Sequence, residues 1–364
     1  MIPMVDLKRQ YQLLKGEIDA ALEEVFQGTQ FILGPNVSAL EAEIAAYHDI
    51  SQAIGVASGT DALQIALEAS GIGEGDEVIT TPFTFVATAE VVSRLRARPV
   101  FVDIRPDTFN IDPERIEEKI SAATKAIIPV HLFGHPADMD PICDLARRYG
   151  LKVIEDCAQA FGALYRGRKI GTLGHCGCFS FFPSKNLAGC GDGGMIITGE
   201  ETTAGRIRLL RNHGSAVRYR HEVLGYNSRL DEIQAAIIRV KLKRIDALND
   251  ARRSHAELYR SVIGRSDILL PLEQAGCRHV YHQFTIRSRD RERIMAVLRE
   301  EGIASAVYYP VPLHLQDVFS DCRLRRESLA QAETCAAEVL SLPMFPELTD
   351  EEIRRIGDVI DHAI

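Results

Sequence analysis

The feature that most limits how this chain can fold is an alternation running from about Ser51 to Gly199. Short β-branched runs (Ile54 to Ala57, Val78 to Thr80, Val100 to Val102, Ile127 to Val130, Val153 to Glu155, Cys178 to Phe182 and Met195 to Thr198) are separated by longer stretches. Several of those stretches have helical spacing, among them Asp61 to Ala69, Ala87 to Leu95 and Asp140 to Tyr149. Strand and helix in alternation predict an α/β fold with a largely parallel, doubly wound sheet. Further on, Ser228 to about Leu248 reads as one helix: Leu230, Ile233, Ala236, Ile237, Val240 and Leu242 share helical spacing, and Ser228 with Asp231 resembles a capping box. After it the pattern predicts a helix at Ala251 to Ile263 and a strand at Tyr281 to Ile286, then a helix at Arg291 to Glu301 and a strand at Ser305 to Tyr309. Helices follow at Leu329 to Leu340 and Asp350 to Ile364. The expected division is an N-terminal segment with a large domain over 1–248 and a small α/β domain over 249–364. The first thirty residues read as a helix plus a loop, Phe31-Ile32-Leu33-Gly34-Pro35.

Charge and composition narrow the function. The net charge is −9, with no basic block, so there is no electrostatic footprint for nucleic acid. Asp6, Lys8, Arg9, Lys15, Glu17 and Asp19 interrupt any apolar signal core at the start, which predicts a cytoplasmic protein. The longest runs free of charged residues, Ile170 to Ser184 and Gly302 to Gln316, fall short of the ~20 apolar residues that span a bilayer. Eight cysteines are too few for a disulfide framework. His175-Cys176-Gly177-Cys178 lacks the two-residue gap of a zinc pair, so small thiols packed into a strand are expected there, and no metal.

In open α/β sheets ligands bind at the carboxyl ends of strands. The first such end, Ser58-Gly59-Thr60-Asp61, runs into a helix and would suit a phosphate, or serve as an ordinary helix cap. Another ends in Glu155-Asp156-Cys157-Ala158-Gln159, where a buried Asp156 needs a partner. A third continues through Ser180-Phe181-Phe182-Pro183-Ser184-Lys185 to the cluster Gly189 to Gly194. Lys185 is the only lysine between Ile170 and Val240. Apolar surroundings lower a lysine's pKa and free its amine to form a Schiff base. The glycines are expected to allow close backbone approach to a bulky ligand. A Schiff-base lysine, a carboxylate for a pyridinium nitrogen, a phosphate cradle and an aromatic wall at Phe85 are together what pyridoxal phosphate requires of a protein.

These residues also carry a family likeness. Phe31 to Pro35, Ala57 to Leu63, Pro82-Phe83-Thr84-Phe85, Glu155 to Gln159, Ser180 to Lys185, Gly191 to Gly194, Asn227 to Asp231 and Tyr309-Pro310-Val311-Pro312-Leu313-His314 occur in order along nearly the whole chain. In this the chain resembles the fold-type I pyridoxal phosphate aminotransferases of the DegT/DnrJ/StrS sugar aminotransferase group. The resemblance implies a mostly parallel seven-stranded sheet and a homodimer with shared sites. It casts Lys185 as the Schiff-base lysine and proton carrier, Asp156 as partner of the ring nitrogen, and Gln159 as partner of the ring hydroxyl. Gly59, Thr60 and Ser180 match phosphate contacts, Phe85 the stacking ring, and Asn227 a residue reaching the neighbouring subunit's phosphate. Arg229, Tyr309 and His314 are candidate substrate contacts. Arg229 either pairs with a carboxylate or lines the first turn of a helix, and His314 either touches sugar or belongs to a rigid loop between prolines.

The resemblance further implies transfer of an amino group from L-glutamate, leaving 2-oxoglutarate, through the pyridoxamine phosphate form to a nucleotide-diphosphate keto-sugar. Such reactions serve amino-sugar, lipopolysaccharide or cell-surface polysaccharide biosynthesis. Within the group the chain looks most similar to enzymes that aminate C3 of a 3-keto sugar, including those handling UDP-linked N-acetylated hexoses and uronic acids, and a UDP-linked 3-keto N-acetylhexosamine is the expected substrate. A dTDP-3-keto-6-deoxyhexose or a UDP-3-keto-uronic acid is the alternative substrate. A pyridoxal phosphate-binding regulator without turnover is the alternative of another class. A dehydratase on the same scaffold would carry histidine where Lys185 stands.

Overall fold

The computed structural model describes residues 1–320 and 329–362. Its helices are α1 Leu7–Gly28, α2 Pro35–His48, α3 Gly59–Ala69, α4 Ala87–Arg94, α5 Met139–Tyr149, α6 Glu201–Arg211, α7 Glu232–Leu242, α8 Ile245–Val262, α9 Arg291–Glu300, α10 Ala330–Glu338 and α11 Asp350–Asp361. The strands are β1 Gln52–Val56, β2 Glu77–Thr80, β3 Arg98–Phe101, β4 Thr124–Ile127, β5 Lys152–Asp156, β6 Leu164–Tyr165, β7 Arg168–Lys169, β8 Cys176–Ser180, β9 Gly194–Thr198, β10 Cys277–Arg278, β11 Phe284–Arg287 and β12 Val339–Leu342.

Seven strands form the central sheet in the order β1-β9-β8-β5-β4-β2-β3. Only β9 runs against the others, being antiparallel to both of its neighbours. The carboxyl ends of β1, β2, β5 and β8 therefore open on one edge. The sheet strands read as continuous apolar runs because helices cover both faces. Ile79, Ile127, Val153, Phe179 and Ile197 pack into one layer with residues of α2, α5 and α7. Their chain neighbours Val78, Ala126, Ile154, Cys178 and Ile196 pack into the other with α3, α4 and α6. Cys176 and Cys178 are buried in this second layer.

Smaller interactions fix the helices. Asp6 caps α1 by accepting the Lys8 and Arg9 N–H groups. Glu232, fully buried, reaches from α7 to accept the Asn36 and Val37 N–H groups (2.8 Å each) at the start of α2. A separate core holds α8, α9, α11, β11 and β12, and Ile2 joins it. A fourth cluster, with Phe83, Phe109, Phe133, Leu313, Leu329 and Cys335 and with Tyr308 and Tyr309 packed against it, fills the space between this part and the sheet.

Several sequence expectations need correction. The helix expected from Ser228 to Leu248 begins only at Glu232 and breaks after Leu242, and α8 restarts at Ile245. Ser228 is no cap for it, because its hydroxyl donates to Asp61 Oδ2 (2.6 Å) and accepts the Ala57 N–H (3.1 Å). Ser305 to Tyr309 forms a single bridge, Ala306 to Ser341, rather than a strand, since its aromatic residues are drawn into the fourth cluster. The helix expected to reach Leu340 ends at Glu338, where Val339 and Leu340 pair with Arg287 and Ile286. The expected end of the last helix, Ala363 and Ile364, lies outside the described residues. The glycines from Gly189 to Gly194 are packed closely against the chain itself: a Cβ on Gly189 or Gly191 would crowd Gln234, one on Gly193 Leu230, and one on Gly194 the Ser58 carbonyl oxygen at 2.3 Å.

Gly194 thus sets how closely β9 approaches the start of α3. Gly194→Ala is expected to cost about 2 kcal/mol or more, since backbone must shift to admit the methyl. Thermal unfolding beside wild type checks it, and an unchanged midpoint would show that the close approach is not required.

Candidate active site

The start of α3 offers free backbone donors at one end of the candidate site. Ser58 Oγ accepts the Asp61 N–H (3.0 Å), while the N–H groups of Gly59 and Thr60 meet no acceptor among the described residues. Free donors and the positive end of the helix dipole face the same way. Ser180, the last residue of β8, lies against this turn so closely that a Cβ on Gly59 would sit 2.6 Å from its Cβ. Ser180 Oγ accepts the Phe182 N–H (3.3 Å), which leaves its proton available to a ligand.

At the end of β5 two carboxylates stand side by side, and their donors tell them apart. Glu155, fully buried, accepts from the backbone of Gly171, Leu173 and Gly174 (2.6–2.8 Å) and from His131 Nε2 (3.0 Å). His131 Nδ1 accepts the Ala137 N–H, so Nε2 carries the proton given to Glu155. Glu155, His131 and Cys157 lie near one another, but the carboxylate is saturated by protein donors. Among the described residues, Asp156 accepts only the Ala158 N–H at Oδ1 (3.1 Å) and the Thr88 hydroxyl at Oδ2 (2.8 Å). Burial raises its pKa above the usual carboxylate range, against the pull of Thr88, Ala158 and Lys185. A carboxylate so placed, with lone pairs left over, suits a cationic N–H.

Lys185 follows β8 in a turn closed by its N–H on the Phe182 carbonyl (2.8 Å). Its half-buried side chain makes no hydrogen bond or ion pair among the described residues. Desolvation lowers its pKa to about 8, against the attraction of Asp156. Gln159 has its Oε1 held by the Phe133 N–H (2.8 Å), so its amide presents donors, one of them to Tyr309 Oη (3.0 Å). Burial pushes the Tyr309 phenol well up, so it stays protonated. Its loop is tied to the end of β2 by the Leu313 N–H on the Pro82 carbonyl (2.8 Å). Phe85 is 56% exposed, its ring centroid 6.3 Å from that of Tyr309, which leaves a face free to stack.

The structure thus gathers Lys185, Asp156, Gln159, Tyr309, Phe85, Gly59, Thr60 and Ser180 along one sheet edge. It brings Asn227 and Arg229 into no hydrogen bond with Lys185, Asp156 or Gln159. Asn227 is exposed and pairs with Asn212 in a backbone bridge. Arg229 precedes α7 rather than lining its first turn: it donates to Asn212 Oδ1 (3.3 Å), and its buried Nε has no partner. His314 Nε2 faces Glu333 (3.2 Å), which also accepts the Leu329 N–H. Thr88 is the site residue that the sequence does not announce; a threonine three residues after Phe85, at the start of a helix, is its only signal. A cavity of about 960 Å³ lies away from this cluster, between Tyr47, Arg147, Lys152 and Lys169. The carboxyl ends of α2 and α5 close it, which disfavours a phosphate there.

Sheet topology and site together define a pyridoxal phosphate-dependent enzyme of fold type I. The chain belongs to the DegT/DnrJ/EryC1/StrS aminotransferase family, whose model matches residues 12–361. It is 52% identical to the pleiotropic regulatory protein of Geobacillus stearothermophilus, over 99% of this chain and 97% of that protein. It is 50% identical to the UDP-N-acetyl-3-dehydro-α-D-glucosamine 3-aminotransferase of Acidithiobacillus ferrooxidans, over 100% of this chain and 98% of that one. With the dTDP-3-amino-3,4,6-trideoxy-α-D-glucose transaminase of Streptomyces venezuelae the identity is 44%, over 99% and 95%. Among solved structures, S. venezuelae DesV in complex with a ketimine intermediate superposes with a TM-score of 0.96 at 44% identity, covering 99% of this chain and 97% of that one. Bacillus subtilis NtdA with bound pyridoxamine phosphate gives 0.94 at 34% identity, covering 100% and 85%. The chain is therefore a sugar aminotransferase that uses pyridoxal phosphate.

As the candidate Schiff-base residue, Lys185 would react with an aldehyde only through its neutral amine. The rate at which apo-protein captures pyridoxal phosphate is therefore expected to rise with pH and level off above about 8. Stopped-flow absorbance checks this, and a midpoint near that of a free lysine would show an amine in water.

Proposed function

We propose that this enzyme moves the amino group of L-glutamate to C3 of a UDP-linked 3-keto N-acetylhexosamine. The observation that carries the chemistry is the unpartnered Lys185 amine held near, but not on, the buried Asp156 carboxylate. The 50% identical relative, named as an aminotransferase of that sugar, supports the substrate. The dTDP-sugar transaminase at 44% supports the second reading, a dTDP-linked 3-keto-6-deoxyhexose.

Bound at this site, pyridoxal phosphate supplies an electron sink that acidifies the carbon bearing the amine. The chain's own residues do the rest. Gly59 and Thr60 N–H groups and the Ser180 hydroxyl would hold its phosphate, Phe85 would stack on its ring, and Asp156 would keep the ring nitrogen protonated. Gln159 donates to the ring oxygen. Lys185 Nζ takes the proton from the amine-bearing carbon of glutamate, and in the second half-reaction returns one to C3 of the sugar. Tyr309, protonated and beside Gln159, is placed to donate to a substrate oxygen, and His314 backs the same loop.

The partner in this reading is a second copy of the chain. The excursion from 213 to 225 exposes Val217, Tyr219 and Leu224, the last at 94%, close in sequence to Asn227 and Arg229. On a neighbouring subunit, Asn227 would reach the phosphate and Arg229 a carboxylate, of glutamate or of a uronic acid. Cytoplasmic work on activated sugars for cell-surface polysaccharide fits a chain in which no described helix is long and apolar enough to cross a membrane.

Purified protein is expected to show a visible band that bleaches with L-glutamate, and Lys185→Ala to lose turnover by at least about a thousandfold. A band that glutamate leaves unchanged would favour a regulator, the function named for the 52% relative. A panel of UDP- and dTDP-linked keto-sugars scored by product mass tests the acceptor. Activity confined to 4-keto sugars would overturn the assignment to C3.

A further inference from the structure

Thr88 sits in the first turn of α4, 1% exposed, and Thr84 lies one turn earlier at 2%. Thr88 Oγ1 is 2.8 Å from Asp156 Oδ2 and 3.1 Å from Thr84 Oγ1. A hydroxyl owns one proton, and an ionised carboxylate only accepts. The order is therefore forced: Thr84 donates to Thr88, and Thr88 donates to Asp156. A threonine in a helix ordinarily bonds back to a carbonyl of the preceding turn or faces water; this one reaches across to another element. Thr88 is also the only side-chain hydrogen-bond donor to Asp156 among the described residues, since the other donor is the Ala158 backbone.

We propose that the Thr84–Thr88 hydroxyl pair is the positioning device for Asp156. It fixes the rotation of the carboxylate and holds it ionised at the place where the cofactor's ring nitrogen would meet it. The inference rests on the pyridoxal phosphate reading of the site. Its geometry couples two functions, because the segment that brings Thr88 to Asp156 also carries Phe85, the ring proposed to cover the cofactor. The charged and titratable groups around Asp156 include two buried thiols, Cys157 beside it and Cys178 paired with it on β8, both pushed up by burial. Lys185 reaches it from the turn after β8, and His131 comes from the segment after β4, with its Nε2 proton committed to Glu155. Glu155 is its neighbour on β5, and Tyr309 approaches from the C-terminal part. None of them replaces the Thr88 hydrogen bond.

The test uses full-length protein carrying Thr88→Val, Thr88→Ser or Thr84→Val, each stripped of cofactor and titrated with pyridoxal phosphate. A hydrogen bond to a charged group contributes about 1.5–3 kcal/mol, so Thr88→Val is expected to weaken binding about tenfold or more. Removing a donor from the ionised form raises the Asp156 pKa, so the acidic limb of the glutamate half-reaction moves to higher pH. Thr88→Ser keeps the hydroxyl and restores both. Thr84→Val leaves Thr88 its proton but removes that proton's support, and shifts both readouts the same way by less. Binding and pH limb within twofold of wild type in Thr88→Val overturn the proposal, as does Thr88→Ser behaving like Thr88→Val, which would assign the effect to methyl packing. If Thr88→Val does not fold, Thr84→Val decides alone. Failure of the underlying reading is distinguishable, because then wild-type protein binds no pyridoxal phosphate. The Asp156 carboxyl shift, followed by carbon NMR in the apo-proteins, still reads the relay directly: an unchanged midpoint in the variants overturns it.

Discussion

A carboxylate buried at the end of a parallel strand gives up its hydration and must regain it from donors in the protein. On β5 this happens twice in succession, with opposite outcomes. Glu155 receives four donors and becomes part of the scaffold, tying the segment before β8 and the segment after β4 to the strand. Asp156 receives two among the described residues and stays short of donors, with Lys185 near enough to feel but not bonded there. The site exists because the fold completes one of these neighbours and leaves the other incomplete.

That arrangement depends on the sheet. Six strands run together, so the ends carrying Asp156, Ser180, the start of α3 and the approach to Phe85 meet on one edge. Reversed β9 then returns the chain after Lys185 without a crossover helix. The return is tight: Gly194 passes the Ser58 carbonyl at a distance no side chain would allow. Glycine there serves the joint between β8, β9 and α3, and through that joint the end of the site where α3 begins.

Much of this was legible from sequence, for reasons that differ by element. Strands buried on both faces announce themselves as short apolar runs, and a lone lysine after such a run stands out. Long-range satisfaction of polar groups does not. Ser228 looked like a helix cap because its neighbours permit one, but Asp61, 167 residues earlier, claims its hydroxyl. Val339 and Leu340 continue a helical spacing, yet the pairing with β11 decides their state. Thr88 has no local mark of function, since what matters is the residue it meets on β5. The glycines after Lys185 were legible as tight approaches but not as to what approaches.

Gln159 illustrates what one fixed hydrogen bond can select. A free carboxamide can turn over and offer either its oxygen or its nitrogen to a ligand. Here the Phe133 N–H fixes the oxygen, which orients the amide so that its nitrogen turns toward Tyr309 and the site. A group of that polarity favours a deprotonated oxygen over a hydroxyl that needs an acceptor. If Gln159 meets the ligand as proposed, a backbone amide that itself stays clear of the ligand would bias the ionisation state of what is bound.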